Sequence, residues 1–242
     1  MDLYNLLLLV LLPVLYVLGT RIRAFSRRGG IAAVFIGMVV IIGGGALYFL
    51  LLFLFLGLSY ITTVVGFERK KRRSLQEGIR GERKAKNVLA AGLVPSAVSL
   101  LSFSGMNATV VFSLYVISLA TILADTAASE IGSLDDNTYM ILTLRPAQTG
   151  INGGISVLGT VTSLIFSVTF GLLSFLLFGL IVPLKFSQLI SLVFLTGFVG
   201  FIGNLFDSVL GETLENRGYL DKYSVNFYAT LFSTLVGLSI MW

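Results

Sequence analysis

The chain has 242 residues, 56% of them hydrophobic and 12% charged, with a formal charge of +5. A soluble domain carries about twice that charged fraction. With a mean hydropathy of +0.94, too little polar surface remains to face water, and the composition specifies a polytopic membrane protein. There is no His and no Cys. Disulfides, thiolate or imidazole zinc sites, Cys nucleophiles, Ser-His triads and haem held by His or Cys are therefore excluded. Chemistry is left to carboxylates, Lys, Arg, hydroxyls, amides and backbone dipoles.

A spanning helix needs about 20 mainly apolar residues. Leu3–Gly19 is the first candidate; Arg21, Arg23, Arg27 and Arg28 follow it, the pattern of a retained signal anchor. Ile31–Gly66 is too long for one span, and Gly43-Gly44-Gly45 predicts a hairpin of two short spans. Residues 67–87 form a basic loop. Val88–Phe103 and Thr109–Ala124 read as a second hairpin turning at Ser104–Asn107, with Pro95 marking the first as a broken or half-inserted helix. Asp125–Gly154 reads as a polar stretch. Ile155–Leu180, Leu189–Phe206 and Val225–Trp242 are the remaining spans, separated by Val182–Gln188 and by the polar Asp207–Ser224. The fold class is thus an all-α polytopic membrane protein, one integral membrane domain over residues 1–242 with seven to eight spans. This alternation puts sixteen of the seventeen Lys and Arg residues on one face and only Lys185 on the other. The positive-inside rule makes the charged face cytoplasmic and places the protein in the cell membrane as a multi-pass protein whose active site faces the cytoplasm.

Two segments repeat one pattern. Asp125-Thr-Ala-Ala-Ser-Glu130 and Asp207-Ser-Val-Leu-Gly-Glu212 both read Asp-[Ser/Thr]-x-x-x-Glu, each directly after an apolar helix. A spacing of five residues puts the two acids about 140° apart on a helix, so one helix aims both at a point only if it kinks or ends there. Either these acids cap helix ends at the membrane surface, or they serve a site; acids at this depth are costly and usually functional. Carboxylates without His or Cys favour Mg²⁺, with Asp125, Glu130 and Asp207 as its ligands. The stretch from Arg145 through Asn152, Gly153, Gly154, Ser156 and Thr160 opens the Ile155–Leu180 span with free amides and hydroxyls. A helix N-terminus of that kind binds anions, and Arg145 suits bidentate phosphate contact. The same residues otherwise make a flexible turn. Arg80 and Arg83 reach either lipid headgroups or a substrate phosphate; Ser208 follows the second Asp, and Asn226 is an amide just inside the last span, a ligand contact or glue between helices. The Gly200/Gly203 pair admits close helix contact within one chain or in a homo-oligomer. No nucleic-acid module is present, since topology accounts for the basic loop.

Taken in order, these motifs resemble those of the transmembrane protein 19 / phytyl-phosphate kinase family. The resemblance rests on Arg80–Gly92, Ala124-Asp-Thr-Ala-Ala-Ser-Glu-Ile-Gly132, Thr149-Gly-Ile-Asn-Gly-Gly-Ile-Ser-Val-Leu-Gly-Thr160, Gly203-Asn-Leu-Phe-Asp-Ser-Val-Leu-Gly211 and Val225–Thr230. It covers residues 20–242. Asn87 and Ala91 depart from the Gln and Asn usual there, and Arg27-Arg28-Gly29-Gly30 departs from the usual Lys and Leu-Thr. The resemblance implies a Mg²⁺-dependent prenyl-phosphate kinase that transfers a phosphoryl group from a nucleoside triphosphate, CTP in many members, to an isoprenyl phosphate lipid. A polyprenol kinase or CDP-lipid cytidylyltransferase is the related alternative, and a transporter using the paired acids is the alternative of another class. In the kinase reading Asp125, Glu130 and Asp207 hold the metal, Arg145 and the 152–156 amides hold the transferring phosphate, and Asn226 orients a ligand or a carboxylate.

Overall fold

The computed structural model describes residues 3–76 and 81–242. Among these residues eight α-helices follow in order: α1 (Leu3–Arg21), α2 (Arg27–Val64), α3 (Phe67–Arg72), α4 (Ala85–Leu100), α5 (Ala108–Gly132), α6 (Val157–Gly179), α7 (Phe186–Leu210) and α8 (Lys222–Met241). Helix is the form expected in a bilayer, where no water satisfies the backbone and every N–H must find its carbonyl within the segment. Among the described residues, seven helices are long and apolar enough to cross a membrane.

The second of these helices is longer than one crossing. At 38 residues it contains one non-helical position, Gly45, with φ 72° and ψ −160°. The chain doubles back there. A methyl on Gly37 would lie 3.2 Å from the Phe49 ring, whereas an unbroken helix would hold those residues about 18 Å apart. Both ends of α2 also meet the same residue: the Ser26 amide, at the N-cap, donates to the Arg83 carbonyl, and Arg83 Nη2 donates to Thr63 Oγ1. The Gly43–Gly45 hairpin read from sequence is therefore present, as two limbs of one element. Gly45 permits it because its positive φ carries no Cβ penalty.

Two other boundaries differ from expectation. Helix α4 is not broken by Pro95; it runs through and ends in the short 3₁₀ turn Leu101–Phe103. Helix α5 does not stop before Asp125 but continues to Gly132, and α7 continues through Asp207 to Leu210. Both acids face protein rather than lipid, so the helices had no reason to end at them.

Helix α5 is the most deeply buried span and packs against α2, α4, α6, α7 and α8. Its neighbours come close because small residues line their contacts. A methyl on Gly200 would lie 2.8 Å from Ala120 Cβ, and one on Gly203 would lie 2.6 Å from Thr121 Cγ2 and 2.7 Å from Ser233 Cβ. Thr121 and Ser233 share a buried hydroxyl hydrogen bond of 2.7 Å between α5 and α8. The glycine pair thus makes an intramolecular contact. On the polar face, residues 138–155 form a three-stranded antiparallel sheet, β1 (Thr138–Met140), β2 (Pro146–Ala147) and β3 (Gly154–Ile155), in the order β2-β1-β3.

Gly203→Ala is expected to destabilise the protein by about 1–3 kcal/mol through overpacking. Gly57→Ala, whose added methyl would meet nothing within 4 Å, is expected to leave stability unchanged or slightly raised. Thermal unfolding in one detergent checks both.

Candidate functional site

The C-terminal ends of α5 and α7 meet the N-terminal ends of α6 and α8 at the polar face. Backbone contact sets this meeting. A methyl on Gly132 would lie 2.9 Å from Gly159 Cα, and Ser156, the N-cap of α6, donates to the Gly132 carbonyl and accepts from the Gly159 amide. On the other side Gly153, at φ 76°, presses against the turn after α7, where a methyl would lie 2.4 Å from the Glu212 amide. That turn, Gly211–Glu215, is a π-helix, the wider coil that often marks functional sites.

A cavity of about 180 Å³ opens between these ends, lined by Asp125, Asp207, Asn226, Lys222 and Glu215 among others. Asp125 comes from α5, Asp207 from α7 and Asn226 from α8. The amide of Asn226 lies between the two acids and donates to one of them in either orientation. In one orientation its Nδ2 donates to Asp125 Oδ2 at 3.3 Å; with the amide turned over, it donates to Asp207 Oδ2 at 3.3 Å and to the Lys222 carbonyl at 2.9 Å. Opposite them lies the start of α6, whose positive dipole end favours an anion. Asn152, Gly153, Gly154, Ser156 and Thr160 line this wall, and Ser208 lines it beside Asp207.

Two residues expected in the site, Arg145 and Glu130, are placed elsewhere. Arg145 sits in the turn between β1 and β2 with an exposed side chain, and its carbonyl accepts from the Met140 amide. Glu130 points away, as the 140° spacing requires. Its Oε2 accepts from Lys70 Nζ at 2.6 Å, and its Oε1 accepts from Arg83 Nη2 and from Thr63 Oγ1, each at 3.0 Å. Lys70, fully buried, spends its other donors on the Thr63 and Thr62 carbonyls. Glu212 likewise faces outward and accepts from the Leu142 amide at 2.8 Å. Arg80 lies outside the described residues. Among those described, no three acids gather to hold a metal by themselves.

The sequence reading missed Lys222, Asn204 and Glu215. Two had a signal: Lys222 is four residues before Asn226, and Asn204 three before Asp207, so each shares its partner's helix face. Glu215 had none, because only the π-turn carries it to the cavity.

A second, smaller cavity of about 90 Å³ adjoins the first and shares Asp125, Ser129, Lys222 and Asn226 with it. Its far wall is Arg83, Asn87 and apolar residues of α2. Arg83 is fixed there by a clasp: its amide donates to the Ala24 carbonyl, and its carbonyl lies so near α2 that a methyl on Gly29 would sit 2.2 Å from it. Ser26 caps α2 by accepting from the Gly29 amide. The Arg27–Gly30 segment is thus part of this clasp. Outside the span, Asp221 caps α8; the Ser224 hydroxyl and amide hold its carboxyl below the usual carboxylate range.

Residues 10–234 match a family described as integral membrane protein DUF92. The chain belongs to that family. It is 31% identical over 234 residues to an uncharacterized membrane protein of Methanocaldococcus jannaschii, covering 96% of this chain and 92% of the relative. It is also 31% identical to Protein PGR of Arabidopsis thaliana, over 81% of this chain and 76% of the relative. An uncharacterized membrane protein of Synechocystis is 30% identical, over 74% and 67% of the two chains. No solved structure matches the chain.

Substituting Glu130 with Leu strands the fully buried Lys70 ammonium. A loss of about 3–5 kcal/mol is expected, with much of it recovered in the Lys70→Met/Glu130→Leu double variant. Unfolding of the two variants side by side measures this.

Proposed function

We propose that the protein is a prenyl-phosphate kinase, moving a phosphoryl group from a nucleoside triphosphate, CTP by family resemblance, to an isoprenyl monophosphate. The observation that carries the reading is the pair of adjoining cavities that share Asp125, Lys222 and Asn226. The larger has the α6 N-terminus and the Gly153–Gly154 turn for the nucleotide phosphates. The smaller has Arg83 and an apolar wall, which suits a lipid phosphate. Donor and acceptor would meet at the shared residues, as in-line transfer between two phosphates requires.

The donor set fits Mg²⁺, which commonly takes one or two carboxylates and completes its shell with substrate phosphates and water. Asp125 and Asp207 would hold it, and when bound the ion supplies charge neutralisation across the phosphates. The remaining work belongs to the chain. Lys222 and the first turn of α6 balance phosphate charge, Asn226 keeps the two carboxylates in register, and Arg83 orients the acceptor phosphate. An acceptor oxygen bonds to the terminal phosphorus while the bridging P–O bond breaks, and the electron pair leaves on the nucleoside diphosphate. The monoester is already ionised near neutral pH, so no general base is needed, in keeping with a chain that has no His. We further place the cavity face in the cytoplasm, on the strength of the basic residues gathered there.

Purified protein incubated with labelled CTP or ATP, Mg²⁺ and geranylgeranyl phosphate should yield the diphosphate. Asp125→Asn and Asp207→Asn should each lower turnover about a hundredfold or more while the protein stays folded. A CDP-lipid product would instead identify cytidylyl transfer, and wild-type rates in both variants would remove the site assignment. Since the chain has no Cys, single cysteines report sidedness directly. Lys71→Cys should be labelled only from the cytoplasm and Ser104→Cys only from outside; the reverse pattern would invert the topology.

A further inference from the structure

We infer that the apolar groove between α1 and the second limb of α2 holds the isoprenyl tail, and that its depth sets the longest acceptor the site takes. The inference rests on the prenyl-phosphate reading above and gives its lipid a specific seat.

The groove encloses about 430 Å³ and is lined almost wholly by apolar side chains. It is continuous with the acceptor cavity, because Phe25, Ala33, Leu52, Leu56, Ser59 and Arg83 line both. A ligand spanning the two would place a charged group beside Arg83 and Asp125 and a hydrocarbon beyond it. That is the chemistry of a lipid monophosphate. At the seam, Ser59 Oγ is buried with no hydrogen-bond partner among the described residues. A buried orphan hydroxyl is rare and costly, and this one lies where a ligand's polar head gives way to its tail.

The groove has a defined length and an open flank. Along α2 it runs from Thr63, at the polar end, to Phe49, fourteen residues or about 21 Å deeper. Leu12 and Phe49 close the deep end, where they pack against Gly37. The outer wall is α1, the least buried of the spans, which packs mainly on α2. A tail therefore enters sideways from the lipid between α1 and α2, and the headgroup passes beneath the Phe25–Arg83 clasp. Gly57 lies partway down, six residues or about 9 Å from Thr63. Open space surrounds its missing Cβ, with no heavy atom within 4 Å. Short tails end before this point and long tails pass it.

Gly57→Phe fills the groove at that depth without touching Asp125, Asp207 or Arg83. Binding is read by native mass spectrometry of purified wild type and variant, titrated with geranylgeranyl phosphate and with dimethylallyl phosphate. The expected result is a loss of at least about tenfold in affinity for the long lipid, with the short one held within about twofold. Equal binding of the long lipid by both proteins would overturn the groove assignment, as would a wild type that retains no geranylgeranyl phosphate. A prenyl phosphate carrying a photoreactive group at its tail end gives a second readout on the unaltered chain. Crosslinks to residues 12–19 and 49–57 support the seat, and crosslinks confined to α7 and α8 would overturn it. Failure of the kinase reading is separate: long lipid bound in the groove but no diphosphate formed would discard the reaction and keep the groove.

Discussion

One buried carboxylate organises the polar end of the molecule. Glu130 is neutralised from one side by Lys70 and from the other by Arg83, with Thr63 completing the group. Through these contacts the end of α2, the short α3, the strand of chain entering α4 and the last turns of α5 are held together. A buried ion pair is a poor source of net stability. Its value here is positional, because it fixes the rotation of α5 and so aims Asp125, five residues earlier, into the cavity. It also fixes Arg83, which lines both the smaller cavity and the apolar groove.

The second Asp motif is held by different means to the same end. Glu212 accepts from the Leu142 amide, and Gly153 packs on the π-turn after α7. In both motifs the Glu ties a helix end to its surroundings while the Asp turns inward. Two helices then supply one carboxylate each, and a third supplies Asn226 between them. A site built from three helix ends in this way is rigid along each helix, and its walls change character continuously: glycine turn and helix N-terminus, then Arg83, then hydrocarbon. That gradient matches a substrate with a charged head and a greasy tail.

Much of this was legible beforehand. The spans, the hairpin at Gly43–Gly45 and the gathering of basic charge on one face all follow from runs of apolar residues and the glycines that interrupt them. Asp125, Asp207 and the Asn152–Thr160 wall stood out because polar residues beside a bilayer are expensive. Arg145 misled because a lone Arg in a polar loop looks available, whereas the turn between β1 and β2 points it outward. Lys70 gave no signal, since it sits among five consecutive basic residues and only one of them is buried. Glu130 repeated the motif, yet its role depended on what lay across from it.

By itself the sequence determined the solvent and the menu of chemistry. A chain with so much apolar surface and no His or Cys must cross a membrane as helices, and must work with carboxylates, cations and amides. Those properties are local and additive, so composition and spacing expose them. Only the tertiary structure decided which acids share a cavity, which cation reaches them and where the apolar groove opens. Each of those depends on the rotation of one helix against another. Backbone contacts such as Gly132 on Gly159, and buried pairs such as Lys70 with Glu130, set that rotation between residues far apart in the chain.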